Sequence, residues 1–209
     1  MTERIITSDA CVTEGARWLA ASEPRFSAIL PQLTPLPLRL KPDGFAPLLA
    51  AIMGQQVSVA SANAIWDKLE AADMTSPDRI AAATQDDLRG LGLSRQKARY
   101  AHELAHAGVD FDALRDHPSD VVIKTLTAIP GIGSWTAEVY AMFSLGRADV
   151  FASGDLALQE GARLIFDLPD RPSTKQLAEM ATAWAPWRSV AARIIWAYYG
   201  YMKTREGIR

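Results

Sequence analysis

An all-α fold is predicted for this chain, and three observations predict it. Apolar residues recur at three- and four-residue spacing through most of the 209 residues, and alanine-rich stretches carry that spacing. No stretch shows the strict alternation of a half-buried strand. The start signals agree: Ser76 precedes Pro77, Ser94 precedes Arg95, Ser119 precedes Asp120 and Ser134 precedes Trp135. Each hydroxyl is placed to accept a bond from the amides that open a helix.

In chain order, the first helix is expected over 9–21. Pro31, Pro35, Pro37 and Pro42 follow, too many for a helix, so 31–44 should cross the surface in extended form and mark the main boundary. Helices are then expected over 45–54, 57–72, 77–83, 85–89, 95–107, 120–128 and 135–145. A short mixed stretch, 146–154, makes a second break. The last helices are expected over 155–166, 174–184 and 187–203. Leu91-Gly92-Leu93-Ser94 followed by Lys97-Ala98 echoes Ile129-Pro130-Gly131-Ile132-Gly133-Ser134 followed by Thr136-Ala137, two glycine turns joining helices.

Composition excludes several classes. The longest apolar stretches, such as 45–53, are too short for a bilayer, and residues 1–10 lack the layout of a secretory signal, so a cytoplasmic protein without membrane contact is expected. A single cysteine, Cys11, rules out an intramolecular disulfide, a Cys-rich zinc site and an iron–sulfur cluster on four Cys ligands. The net charge of -2 argues weakly against nucleic acid. Distribution matters more: 16 of the 22 basic residues are arginine, and Arg188, Arg193, Lys203, Arg205 and Arg209 gather at the end, while Asp110, Asp112, Asp116 and Asp120 cluster elsewhere. A local basic face on a mildly acidic protein suits an enzyme that visits DNA and leaves.

The most informative stretch is Leu126 to Ala137. Gly131 and Gly133 behind Pro130 allow a tight turn between two helices, and the bare backbone there, with the N–H groups after Ser134, can converge on one anion. Taken alone it fits a plain helix connection equally well. The run Leu-x-x-Ile-Pro-Gly-Ile-Gly-x-Trp-Thr-Ala, however, resembles the helix-hairpin-helix motif of the DNA glycosylase superfamily, in the form of 3-methyladenine DNA glycosylase II. Three further matches follow the same family: Ile52-Met-Gly-Gln-Gln-Val-Ser58 its cleft loop, Val150-Phe-Ala-Ser-Gly-Asp-Leu-Ala157 the stretch with its catalytic aspartate, and 184–196 its C-terminal helix. Together they cover roughly 46–199.

The resemblance implies two helical lobes with duplex DNA bound in the cleft between them. Lobe 1 is expected over 1–44 plus 149–209, lobe 2 over 45–148 with the hairpin at 126–138. It implies a monomeric, monofunctional glycosylase that removes alkylated purines from double-stranded DNA, nucleoid-associated if bacterial. Residues 1–44 are too short for the extra N-terminal domain of some members. Asp155 is placed as the catalytic carboxylate, stabilising the oxocarbenium-like sugar and orienting water. Its residues also suit an ordinary helix cap. Trp135, Trp196, Met53 and Tyr140 are placed at a base pocket, where aromatic faces attract a base made cationic by alkylation. Gln55, Gln56, Ser58, Gly131, Gly133, Ser134 and Thr136 are placed against DNA, Gln56 as the wedge filling the gap left by the extruded nucleotide. Core packing is the competing reading for each tryptophan, and is favoured for Trp18, Trp66, Trp184 and Trp187.

Bifunctional relatives carry a lysine where this chain has Trp135, so water is the expected nucleophile unless Lys124 or Lys175 reaches the site. No cofactor is expected to be required, although the hairpin carbonyls could hold a sodium or potassium ion. Two other classes remain open. A hairpin can bind DNA without catalysis, and His102-Glu103-Leu104-Ala105-His106 fits the zinc protease pattern, with only His117 left as a third histidine.

Overall fold

The structure is a computed structural model, and it describes residues 3–33 and 35–205. Arg209, counted among the C-terminal cations, lies outside the described residues. The described chain is helical, and its one β-type pairing is an isolated bridge between Ile5 and Arg147. No described helix is long and apolar enough to cross a membrane.

The chain divides into two compact units, residues 1–40 with 141–209, and residues 41–140. These limits fall at 40/41 and 140/141, not at the expected 44/45 and 148/149, and hydrogen bonds explain the difference. Gly44 N–H donates to the Tyr140 hydroxyl at 2.8 Å, and Asp43 pairs with Arg115 at 2.6 Å, which ties 41–44 to the hairpin unit. Ile6 N–H donates to the Gly146 carbonyl at 2.7 Å and Ala148 N–H to the Arg4 carbonyl at 3.0 Å, which ties 146–148 to the N-terminal segment.

The unit formed by residues 1–40 and 141–209 holds α1 (Asp9–Ser22), α2 (Pro24–Ile29), α11 (Leu156–Ile165), α12 (Thr174–Ala181) and α13 (Arg188–Arg205), with short 3-10 turns at Leu30–Gln32 and Thr182–Trp184. Helix α11 lies against α13, and Gly161 makes the close approach possible: a Cβ there would stand 2.6 Å from Ile195 Cγ2. Phe26, Phe151, Phe166 and Trp184 form one aromatic cluster with neighbouring ring centroids 5.4–5.8 Å apart. Because Phe151 leads into the loop before α11 and Phe166 follows that helix, the cluster fixes both of its ends.

The unit of residues 41–140 holds α3 (Phe45–Met53), α4 (Val59–Ala71), α5 (Pro77–Ala82), α6 (Gln85–Gly90), α7 (Arg95–His106), α8 (Phe111–Leu114), α9 (Ser119–Thr127) and the start of α10 (Ser134–Phe143). Helix α7 packs against α3, α5 and α6. Its core holds Leu48, Leu49, Ile52, Leu69, Ile80, Leu88 and Leu126, all at 0–1% exposure. Full burial of each such side chain stabilises by about 1.5–3 kcal/mol. Ser76 and Ser94 cap as expected, accepting from Arg79 N–H and Lys97 N–H. At the start of α9 Pro118 is the N-cap and Ser119 is already the first helical residue, one position earlier than expected. Ser134 likewise lies inside α10.

Two helices escaped the sequence reading, α2 and α8. Trp184 and Trp187 are core residues at 3% and 2% exposure and Trp66 is half-buried, but Trp18 is 38% exposed, because it faces away from the buried Val12, Ala16 and Leu19 of its own helix.

Candidate functional site

In the unit of residues 41–140, the turn between α9 and α10 is pinned from below by Ile129 and Ile132, at 6% and 4% exposure. Ile132 N–H donates to the Ile129 carbonyl at 3.0 Å, closing the turn. Gly131 sits at φ +95, a conformation that favours glycine, with the Tyr100 ring against the place a Cβ would take. Gly133 has no neighbour within 4 Å of its Cβ direction, and it and Ser134 are exposed. The first amides of a helix have no acceptor within it, so this opening turn is a ready anion site.

The loop after α3 is fastened to the same turn. Gln55 Nε2 donates to the Gly131 carbonyl at 2.8 Å. Gln56 is exposed and takes φ +56, the left-handed region. Ser58 caps α4, accepting from Ser61 N–H at 3.2 Å. A cavity of about 590 Å³ adjoins these groups, lined by Gln55, Gln56, Ser94, Lys97, Tyr100 and the hairpin turn.

Lys97 was not singled out from sequence. It is 7% exposed, its Nζ donates to the Met53 carbonyl at 2.6 Å, and burial lowers its pKa from the ordinary lysine value. Gln96 Nε2 donates to the Tyr100 hydroxyl at 2.8 Å in the same lining. Of the expected pocket residues in this unit, Trp135 is 46% exposed and offers a stacking face, whereas Met53 and Tyr140 are enclosed at 1% and 4%. Thr136 is also buried, at 8%.

In the other unit Asp155 is the N-cap of α11. Its Oδ1 accepts from Leu158 N–H at 2.9 Å and from Trp196 Nε1–H at 3.1 Å. The loop that carries it is held by buried Gln159, whose Nε2 donates to the Ser153 carbonyl at 2.9 Å. Trp196, half-buried on α13, packs 5.8 Å from Phe143 and lies under the Arg39 guanidinium at 5.7 Å. Asp155 and Trp196, matched separately along the sequence, are thus hydrogen-bonded to each other. Capping and an oriented carboxylate coexist in one side chain.

The zinc pattern does not assemble. Among the described residues there is no group of three or more His, Cys, Asp or Glu able to hold a metal. His106 Nδ1 lies 2.8 Å from the His102 carbonyl, and His102 Nε2 is buried without a hydrogen-bond partner. On the hairpin, the Ile129 carbonyl accepts from Ile132 N–H at 3.0 Å and the Gly131 carbonyl from Gln55 Nε2 at 2.8 Å.

A sequence model described as the HhH-GPD superfamily base excision DNA repair protein matches residues 49–187. The chain is 31% identical over 173 residues to the Escherichia coli DNA-3-methyladenine glycosylase 2, covering 76% of this chain and 59% of that protein. A crystal structure described as a DNA-3-methyladenine glycosidase from Bacillus halodurans superposes with a TM-score of 0.80 at 31% identity, covering 98% of this chain and 95% of that one. A Schizosaccharomyces pombe 3-methyladenine DNA glycosylase in complex with abasic DNA shares the fold, with a TM-score of 0.77 at 24% identity over 92% of this chain and 97% of that one. With the family match spanning most of the chain, from residue 49 through Gln55, Gln56, the hairpin and Asp155 to Trp187, this chain belongs to the HhH-GPD superfamily of base excision DNA repair proteins.

Proposed function

We propose that this chain is a monofunctional DNA glycosylase acting as a monomer on double-stranded DNA, hydrolysing the N-glycosidic bond of alkylated purines. The observation that carries the reading is Asp155, held through one carboxylate oxygen by two donors, Leu158 N–H and Trp196 Nε1–H. A carboxylate oriented before substrate arrives needs no reorganisation as positive charge develops on the sugar. The hairpin supplies uncharged amide donors for the DNA backbone, and exposed Gln56 takes the wedge role. Trp135 and Trp196 offer π faces to an extruded base.

The proposed chemistry needs no cofactor. A sodium or potassium ion on the hairpin carbonyls would add to phosphate binding alone. Water is the nucleophile, because Trp135 takes the place of the Schiff-base lysine, Lys124 and Lys175 are exposed surface residues, and the Lys97 ammonium is bound to a backbone carbonyl.

The test is a panel of duplexes each carrying 7-methylguanine, hypoxanthine or ethenoadenine, scored for released base and alkali-labile abasic sites. Wild type releases at least one base, Asp155→Asn folds and binds DNA yet loses at least 100-fold in single-turnover rate (estimated at about 2.7 kcal/mol), and borohydride traps no covalent adduct. Binding without release from any duplex would favour a non-catalytic module. A trapped adduct would overturn the water mechanism.

A further inference from the structure

Arg39 stands outside the roles assigned so far, yet the fold holds it in one place. Leu38 precedes it, and the Leu38 carbonyl accepts from both Nε and Nη2 of Arg193, at 3.3 and 2.8 Å. Arg193 is a wholly buried cation on α13, and its Nη1 donates to the Ser189 carbonyl and hydroxyl at 2.9 and 2.8 Å. No acidic partner is present among those bonds, so the Arg193 fork acts as a clamp on the backbone at 38. The next residue takes φ +56, a left-handed conformation that a non-glycine side chain adopts only when its surroundings hold it there. The outcome is an exposed guanidinium whose Cζ lies 5.7 Å from the Trp196 ring centroid. That ring is the one bonded to Asp155, and Phe143 packs 5.8 Å from it. The surface Trp196 can offer a base is therefore shared with a fixed cation.

We infer that Arg39 is a specificity-determining residue, which disfavours cationic bases at Trp196 relative to neutral ones. The inference rests on the glycosylase reading above. An aromatic ring attracts a cation through its quadrupole, and a purine alkylated at N3 or N7 carries a positive charge that the ring would otherwise reward. With a guanidinium already over the ring, that base meets a like charge at short range in a partly desolvated site. A neutral lesion such as hypoxanthine stacks on the same ring without repulsion. Arg39 thus trims the preference for charged lesions and widens the range toward neutral ones.

The test measures single-turnover release of 7-methylguanine, a cationic base, and of hypoxanthine, a neutral one, by wild type, Arg39→Gln, Arg39→Met and Arg39→Lys. Arg39 is exposed, so none of these opens the core. The ratio of the 7-methylguanine rate to the hypoxanthine rate rises about tenfold in Arg39→Gln and Arg39→Met, and stays within about twofold of wild type in Arg39→Lys, which keeps the charge. An unchanged ratio in both neutral variants overturns the inference. So does an equal fall of both rates, which would make Arg39 a DNA backbone contact. Release of none of 7-methylguanine, hypoxanthine and ethenoadenine by wild type would overturn the glycosylase reading itself, and that outcome is read before any variant is made.

Discussion

Glu138 lies half-buried on α10, and burial pushes its pKa up to about 7 from 4.5. The native state therefore binds a proton between those values that the unfolded chain has released. Stability contributed by this group is greatest below about pH 4.5, falls as pH rises toward 7, and is level above. Glu138→Gln removes the cost of ionisation. We expect it to stabilise the protein by about 1–2 kcal/mol at pH 8, discounted because part of the side chain stays in water, and by little at pH 5. Urea unfolding at the two pH values checks this, and equal effects at both would refute the burial argument. Arg193 shows the opposite solution to the same problem. Burial, then the Arg39 charge, lowers its pKa to about 10, and it keeps its proton at neutral pH by donating to carbonyl and hydroxyl oxygens. Asp155 adds a third case, in which one carboxylate both caps α11 and faces Trp196. Sequence reading assigned Asp155 catalysis through the resemblance and allowed a cap role beside it, but spacing along the chain does not reveal its bond to a residue 41 positions away.

Among elements, the hairpin gives the sharpest test, because its two glycines are needed for different reasons. Gly131→Ala forces a side chain into φ +95 and within 2.6 Å of Tyr100 Cδ2. We expect a stability loss of about 2–4 kcal/mol, from backbone strain plus the displaced ring. Gly133→Ala meets nothing within 4 Å, so the fold should be unchanged, while the added methyl group blocks close approach of a phosphate. About a tenfold loss in affinity for an abasic-site duplex, at unchanged Tm, is the expected result. Equal destabilisation by both substitutions would mean that the turn serves geometry alone. The hairpin was legible because glycine chemistry is local. So were the long amphipathic helices and the caps at Ser76 and Ser94. Short α8, four residues behind the Asp110 cap, has no room for a period to show, and α2 opens on a Glu23 cap where the sequence analysis placed no element. Ser119 was misread because Pro118 already provides the helix entry, and a proline N-cap leaves the following serine inside the helix. The Gln55 bond to Gly131 and the Arg193 clamp on Leu38 span 76 and 155 residues, and only folding brings such partners together.

For the molecule as a whole, charge decides how tightly it can hold DNA without a lesion. The chain carries 22 basic against 24 acidic residues, and the segment 126–137 contains no charged side chain. On the proposed function, phosphate binding at the hairpin relies on peptide amides, which position a backbone without the counterion release that lysine and arginine bring. Several of the cations are already committed elsewhere: Arg188 to Asp149 at 2.7 Å, Arg115 to Asp43 and Asp112, Arg147 to Glu3 at 3.2 Å, and Arg163 to Glu160 at 2.7 Å. A molecule of this kind should show a shallow salt dependence. We expect a slope of log affinity against log salt of about -2 to -3, or a loss of about 16- to 64-fold from 50 to 200 mM. Fluorescence anisotropy with an abasic-site duplex measures it. A slope of about -6 or steeper would show that a cationic face holds the duplex, and would transfer the affinity from the hairpin amides to the remaining lysines and arginines. With the shallow slope, undamaged DNA is released quickly, and on the proposed function what retains the protein at a lesion is the chemistry of the base.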